Sequence, residues 1–180
     1  MRVPAPLLLI MLMALSAPAA AQTSSARTGP IIESTGAVFP VTPDMSTPLD
    51  LDYRVAFDIA EGSGPDRPST PINTVARFLN MHAQAGVPRE RIAAAVVIHG
   101  TAVSDVLSEE AYARRNGGAN PNATLLRELI DAGTRVIVCG QSAASRGVGS
   151  EELMDGVEMA LSAMTAFVIL QDQGYRVNPW

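Results

Sequence analysis

From Leu51 onward, the order of apolar and polar positions predicts strands that alternate with helices. Residues 53–59 alternate apolar with polar side chains and end in a Gly-rich loop, which predicts a first strand. Residues 92–98 form a continuous apolar run of strand length, typical of a strand that is covered on both faces. Residues 135–139 predict a third strand, and a short last strand begins at Tyr175.

Helical patterns separate these strands. Thr70 is a good N-cap, and Pro71 suits the first position of a helix that ends before Gly86. Its apolar stripe consists of Ile72, Val75, Ala76, Leu79 and Ala83, and the residues predicted to face away are Asn73, Arg77, Asn80 and Gln84. Later patterns predict a short helix over 109–115, a helix from Asn120-Pro121 to Gly133, and a turn or short helix over 140–146.

Residues 155–173 admit two predictions. Asp155 and Glu158 imitate a capping box, and the apolar content that follows allows one long helix. Alternatively, residues 157–161 form a strand, and Ser162 caps a helix that runs to about Gln173. Under both readings, strands and helices alternate along residues 51–180, which predicts one α/β domain with a mainly parallel sheet and helices on both faces.

Residues 1–21 have the pattern of a secretory signal peptide. Arg2 precedes an apolar run from Leu7 to Leu15, and Ala19-Ala20-Ala21 offers a cleavage site before Gln22. The run is short for a membrane span, so an N-terminal anchor is the weaker alternative. We therefore expect a periplasmic or secreted protein, with no membrane association after cleavage because no later segment reaches transmembrane length.

Residues 22–50 predict an extended N-terminal arm. Four prolines interrupt any helical or strand periodicity, yet several apolar residues make the segment too apolar for a pure linker. We expect the arm to pack on its own domain or on a neighbouring subunit. A partly disordered leader that remains after processing is the alternative.

The composition argues against nucleic acids and metal ions as partners. All 13 basic residues are arginines, and loss of Arg2 with the leader leaves 12 against 18 acidic residues, a formal charge of −6. No basic stripe is present, so we expect no binding to nucleic acid. The single cysteine and two widely separated histidines form no zinc pattern, so neither a metal nor another cofactor is predicted.

Cys139 is the leading candidate for chemistry. It is the only cysteine, so it is a buried small side chain, one half of an intermolecular disulfide, or a reactive thiol. It ends the third strand, and ligands gather at the carboxyl ends of parallel strands. If Gly140, Gln141 and Ser142 open a helix, its positive end stabilises the thiolate and lowers the pKa of Cys139.

His99 ends the second strand at the same edge. If the second and third strands are neighbours, its imidazole lies close to Cys139 and either stabilises a thiolate or carries a proton. A histidine that hydrogen bonds to the loop backbone is the alternative. No Cys-x-x-Cys pair and no resolving cysteine are present, which argues against a disulfide oxidoreductase of the thioredoxin type.

The segment Val136 to Val148 resembles the cysteine segment of the DsrE/DsrF-like (YchN-like) proteins, in which a strand ends in a cysteine followed by a small-residue turn and an Arg-Gly-Val-like ending. The resemblance extends through residues 96–100 and 162–175. It implies a three-layer fold with a mostly parallel five-stranded sheet, favours a strand over 157–161, and implies homo-oligomers, often trimers or hexamers. In the sulfur-relay members, the cysteine that matches Cys139 carries a persulfide and passes sulfur to a partner.

The sequence therefore leads to an exported protein that carries or transfers sulfane sulfur on Cys139. His99 and the turn amides of residues 140–142 would stabilise the anion, and the partners would be thiol or persulfide donors and acceptors. The competing hypothesis is a non-enzymatic oligomeric binding module in which Cys139 is structural. A redox role through an intermolecular disulfide is a third hypothesis.

Overall fold

The structure, a computed structural model, describes residues 25–178. Its centre is a sheet of five parallel strands in the order β4-β3-β2-β1-β5. The strands are β1 (Tyr53–Ile59), β2 (Ile92–Ile98), β3 (Arg135–Cys139), β4 (Val157–Ala160) and β5 (Arg176–Asn178). The helices are α1 (Thr70–Gln84), α2 (Glu109–Asn116), α3 (Ala123–Asp131), α4 (Gly140–Ser145) and α5 (Ala163–Asp172). The predicted signal peptide lies outside the described residues.

Helices cover both faces of the sheet and make three layers, which confirms the predicted fold class. On one face, α1 and α3 pack their apolar stripes on alternate residues of the central strands, with Val96 and Val138 fully buried between them. On the other face, α5 packs alone on β2 and β3. Its contacts there are with small or branched side chains, which include Ala95, Val97 and Ile137. The central strands are continuous apolar runs because both of their faces are buried.

Residues 155–173 form the strand and helix of the second sequence alternative. Gly156, with a φ of 87°, precedes β4. Ser162 then separates the strand from the helix. Its side-chain oxygen accepts a hydrogen bond from the amide of Thr165 and so caps α5. A short 3₁₀ turn (Arg89–Arg91) precedes β2, and a 3₁₀ segment (Gly100–Val106) follows it at the carboxyl edge of the sheet.

Two helix starts differ from the sequence prediction. The N-cap of α1 is Ser69, whose hydroxyl accepts from the amide of Ile72, so Thr70 is the first helical residue. The helix predicted from Asn120-Pro121 begins at Ala123. Asn120 is used instead to hold the preceding turn, because its side-chain amide donates to the backbone carbonyls of Asp105 and Leu107.

The N-terminal arm covers the polar face of α1, where Asn73, Arg77, Asn80 and Gln84 lie opposite the apolar stripe as predicted. Asn80 is fully buried. Its side-chain oxygen accepts from the amides of Ile31 and Ile32 at 3.1 and 2.9 Å, and its side-chain nitrogen donates to the carbonyls of Ile32, Thr35 and Gly36. The arm therefore packs on its own domain. It closes with an antiparallel bridge between Arg27 and Val38.

Candidate functional site

The candidate site lies at the carboxyl ends of β1, β2 and β3. Cys139 is the last residue of β3 and the N-cap of α4, and 5% of its surface is exposed. It is a free thiol. The β3 strand delivers the sulfur to the edge where the chain leaves the sheet, and α4 begins at the next residue. This placement is the one that ligand-binding groups adopt in open parallel sheets.

Hydrogen-bond donors from two helices surround the sulfur. Burial by itself raises the pKa of the Cys139 thiol. The hydroxyl and amide of Ser142, together with the amides of Ala163 and Gln141, outweigh that effect and hold the pKa of Cys139 below its ordinary value. These donors favour the charged form because a thiolate accepts their hydrogen bonds more strongly than a thiol does. These groups therefore favour the thiolate form of Cys139 relative to a thiol buried without donors.

Gly140 is required by the close approach of the neighbouring strand. A Cβ atom at this position would lie 2.6 Å from the carbonyl oxygen of Ala160 and 3.3 Å from that of Leu161. Gly140 lets the end of β4 lie against the start of α4, and this brings the first turn of α5 to the thiol.

Gln141 and Ser142 occupy different positions around Cys139. The Gln141 side chain is exposed, and its amide donates to the carbonyl of Leu161 at 3.4 Å. The backbone amide of Gln141 is therefore the group that acts on the sulfur. The Ser142 hydroxyl accepts a hydrogen bond from the amide of Gly100 at 3.2 Å. Because an N–H fills one of its acceptor positions, the hydroxyl proton of Ser142 is available to the sulfur.

His99 directly follows the neighbouring strand β2, and its ring is paired with a carboxylate. Its Nε2 is 2.7 Å from Oδ1 of Asp58, and its backbone amide donates to the carbonyl of Ile59. Within residues 25–178, no hydrogen bond joins His99 to Cys139. The structure therefore brings Cys139 together with residues 140–142 and places His99 at the same sheet edge, directed to Asp58.

A model of the DsrE/DsrF-like family matches residues 56–179, which are more than half of the chain. The chain belongs to this family. A search of curated protein sequences found no match. The region shown to belong to the family contains the whole sheet edge described above.

Two solved structures share the fold. One is the protein of unknown function MTH1491 from Methanobacterium thermoautotrophicum, at 22% identity and a TM-score of 0.55, with 72% of this chain and 100% of that chain covered. The other is the ychN protein from E. coli, at 16% identity and a TM-score of 0.50, with 71% of this chain and 99% of that chain covered. These likenesses confirm the α/β fold of the DsrE/DsrF-like domain.

Sequence reasoning missed two contributors to this DsrE/DsrF-like site. Asp58 interrupts an otherwise apolar strand end between Phe57 and Ile59, and a carboxylate at such a position is a signal that the pattern offered. The amide of Ala163 gave no such signal. Every residue except proline has a backbone amide, so the residue type does not reveal such a donor. The position of this amide beside Cys139 depends on the path of the chain from β4 into α5.

An apolar surface borders the thiol. We call it the β4–α5 surface, and it consists of Met159, Leu161, Met164 and Val168, whose exposed fractions range from 41% to 77%. β4 is an edge strand, so one side of its backbone is unpaired within the described part of the chain. Exposed apolar patches of this kind mark interaction surfaces. Met154, in contrast, is buried in the core.

The described residues contain no cluster of three or more His, Cys, Asp or Glu side chains that could hold a metal ion. None of the helices described in residues 25–178 has both the length and the apolar character needed to cross a membrane.

Proposed function

We propose that this chain is an exported carrier or transferase of sulfane sulfur, and that Cys139 holds the sulfur as a persulfide. The observation that carries the proposal is the set of donors around the sulfur, which hold the pKa of Cys139 below its ordinary value. A thiolate is the form of cysteine that attacks sulfur donors. Membership of a family associated with sulfur relay supports the same reading.

The proposed cycle has two steps. The Cys139 thiolate attacks the sulfane sulfur of a polysulfide, a thiosulfonate or a donor persulfide and retains that atom. The S–S bond of the donor breaks, and the rest of the donor leaves with the electron pair as a shorter polysulfide, a sulfinate or a thiolate, respectively. An acceptor thiol then attacks the outer sulfur of the Cys139 persulfide, and Cys139 leaves as a thiolate. The donors from Ser142 and Ala163 stabilise that leaving group, since thiols of lower pKa leave faster in sulfur exchange.

Mass spectrometry of the mature protein after exposure to polysulfide tests this function. We expect a mass increase of one sulfur atom, removable by a reducing thiol and absent from Cys139→Ala. Lack of the adduct in the native chain would falsify the proposal, and so would an adduct that survives in Cys139→Ala. N-terminal sequencing of a periplasmic fraction tests the export, with Gln22 as the expected first residue.

A binding module is the second candidate, and the near-complete burial of Cys139 favours it. In that case the thiol is a packing group, and the β4–α5 surface carries the function. Thiol labelling of the folded protein separates the candidates. Slow labelling that accelerates on denaturation supports packing, whereas fast labelling at a pH below the ordinary pKa of a thiol supports chemistry.

We also propose that the chain is a homo-oligomer, a trimer or a hexamer, in which a second copy covers the β4–α5 surface. The support is the run of exposed apolar side chains next to an edge strand. Apolar patches and unpaired strand edges are the features that proteins cover on association. Because this surface adjoins Cys139, assembly would shield the persulfide from water.

A further inference from the structure

The pairing of His99 with Asp58 belongs to the same face of the sheet as the thiol. β1 and β2 run in register with Asp58 beside Val97, and β2 and β3 run in register with Ile98 beside Val138. His99 and Cys139 are therefore the next residues of two neighbouring strands, whose backbones lie about 4.8 Å apart in a sheet. The side chains of His99 and Cys139 therefore lie next to each other at the carboxyl edge of the sheet.

The alternation of side chains fixes the face. Ala56, Val97 and Ile137 all belong to the cluster beneath α5. The residues two positions further along each strand are Asp58, His99 and Cys139. Since side chains alternate with a period of two along a strand, these three residues lie on the α5 face. The effect of the Ala163 backbone amide, which lowers the pKa of Cys139 from the start of α5, agrees with this placement.

Asp58 determines which nitrogen of His99 carries the proton. The two side chains are 29% and 35% exposed, His99 and Asp58 respectively, so the pair is half-buried. An ionised carboxylate accepts hydrogen bonds and cannot donate them. At the 2.7 Å separation, the neutral imidazole therefore holds its proton on Nε2 and leaves the lone pair on Nδ1.

We propose that Asp58 is a positioning residue of the Cys139 site, and that it holds His99 as the proton acceptor for the thiol that receives sulfur. This inference rests on the proposed sulfur transfer. It assigns to Asp58 the role that a carboxylate plays behind a catalytic imidazole. The carboxylate fixes the tautomer and stabilises the imidazolium when it forms.

The step balances without an oxidant. The acceptor thiol R–SH gives its proton to Nδ1 of His99 while its sulfur attacks the outer sulfur of Cys139–S–SH. One S–S bond forms and the S–S bond of the persulfide breaks, and its electron pair leaves with the Cys139 sulfur. The products are R–S–SH, the Cys139 thiolate and the His99 imidazolium, so the net charge is unchanged.

Two acceptors of different acidity test the role. The first is 2-mercaptoethanol, which is protonated at neutral pH and must lose a proton to attack. The second is 5-thio-2-nitrobenzoate, which is already a thiolate at neutral pH and needs no base. Each variant is loaded with sulfur from polysulfide, and the single-turnover rate of transfer is measured with both acceptors.

In Asp58→Asn, we expect transfer to 2-mercaptoethanol to fall on the order of 100-fold, as is typical of lost acid–base catalysis. Transfer to 5-thio-2-nitrobenzoate is expected to stay at the native rate. His99→Gln should reproduce this selective loss without any change at Asp58. The matched control is Asp52→Asn, which breaks the ion pair of Asp52 with Arg91 at the opposite end of β1 and should behave as the native chain.

Four results are decisive. Equal slowing with both acceptors assigns Asp58 a structural role only, and native rates with both acceptors assign it none, so either result overturns the inference. A native protein that loads no sulfur overturns the proposed function itself, and this is seen before any variant is compared. Selective loss with the protonated acceptor in both Asp58→Asn and His99→Gln supports the inference.

Discussion

At the residue scale, the character of Cys139 is set by its neighbours. A buried thiol with no partners has a raised pKa, and burial acts in that direction here. The donors from Ser142, Ala163 and Gln141 reverse the direction of the shift, so the pKa of Cys139 is lowered. One of the donors from Ser142 is a side-chain hydroxyl, which can be removed without altering the backbone.

We expect Ser142→Ala to raise the pKa of Cys139 toward the ordinary value of a thiol. The thiolate persists down to the folded pKa, so the labelling rate of the native chain should reach half of its maximum at a lower pH than that of the variant. Rates of iodoacetamide labelling measured against pH give this midpoint. Ser104→Ala is the matched control, because the Ser104 hydroxyl donates to the carbonyl of Thr101. An unchanged midpoint in Ser142→Ala would contradict the assignment.

At the element scale, α1 joins the arm to the domain through Asn80. The helix buries one stripe of apolar side chains against the sheet and uses its polar stripe to satisfy the backbone of residues 29–37. Buried backbone groups need hydrogen-bond partners. An arm with few regular hydrogen bonds of its own is therefore ordered by the amide side chains of a helix.

Replacement of Asn80 by alanine should free this arm. The change leaves the amides of Ile31 and Ile32 and three carbonyls without their partner, so we expect the free energy of unfolding to fall by about 3 kcal/mol. Urea denaturation measures the loss, and limited proteolysis should show earlier cleavage within residues 25–38. Gln171→Ala, an exposed amide on α5, is the control and should change neither. Native stability in Asn80→Ala would rule out this anchoring.

At the scale of the whole molecule, helices cover the two faces of the sheet unequally. Two helices, α1 and α3, cover one face, whereas α5 alone covers the other. The outer side of α5 presents exposed apolar side chains that no other part of residues 25–178 buries. An asymmetric sandwich of this kind leaves a surface next to the thiol that a second copy would bury.

A charge on the β4–α5 surface should weaken the proposed oligomer. We expect Met164→Glu to shift the protein to a lower mass in sedimentation velocity, because a carboxylate would be taken out of water at the contact. Met45→Glu places the same charge on the exposed arm and should leave the mass unchanged. A native chain that sediments as a monomer would contradict the proposal, as would a Met164→Glu variant of native mass.

The sequence by itself determined four of the five strands, which are β1, β2, β3 and β5, together with the fold class and the position of the thiol. The apolar runs of β2 and β3 are long enough to be read as buried strands, and a cysteine that ends such a run must lie at the carboxyl edge of a parallel sheet. These features depend on periodicity and on chain direction, which are local. The two helix starts that differed, at Ser69 and Ala123, are set by caps and turns.

Only the tertiary structure decided what surrounds that thiol. The ambiguous segment 155–173 became a strand and a helix because β4 pairs with β3, and this pairing brings the amide of Ala163 to Cys139. The partner of His99 is Asp58, which lies 41 residues earlier in the chain. Asn80 is polar and yet buried, because the arm supplies its partners. Each of these contacts joins groups distant in sequence, so no local pattern records them.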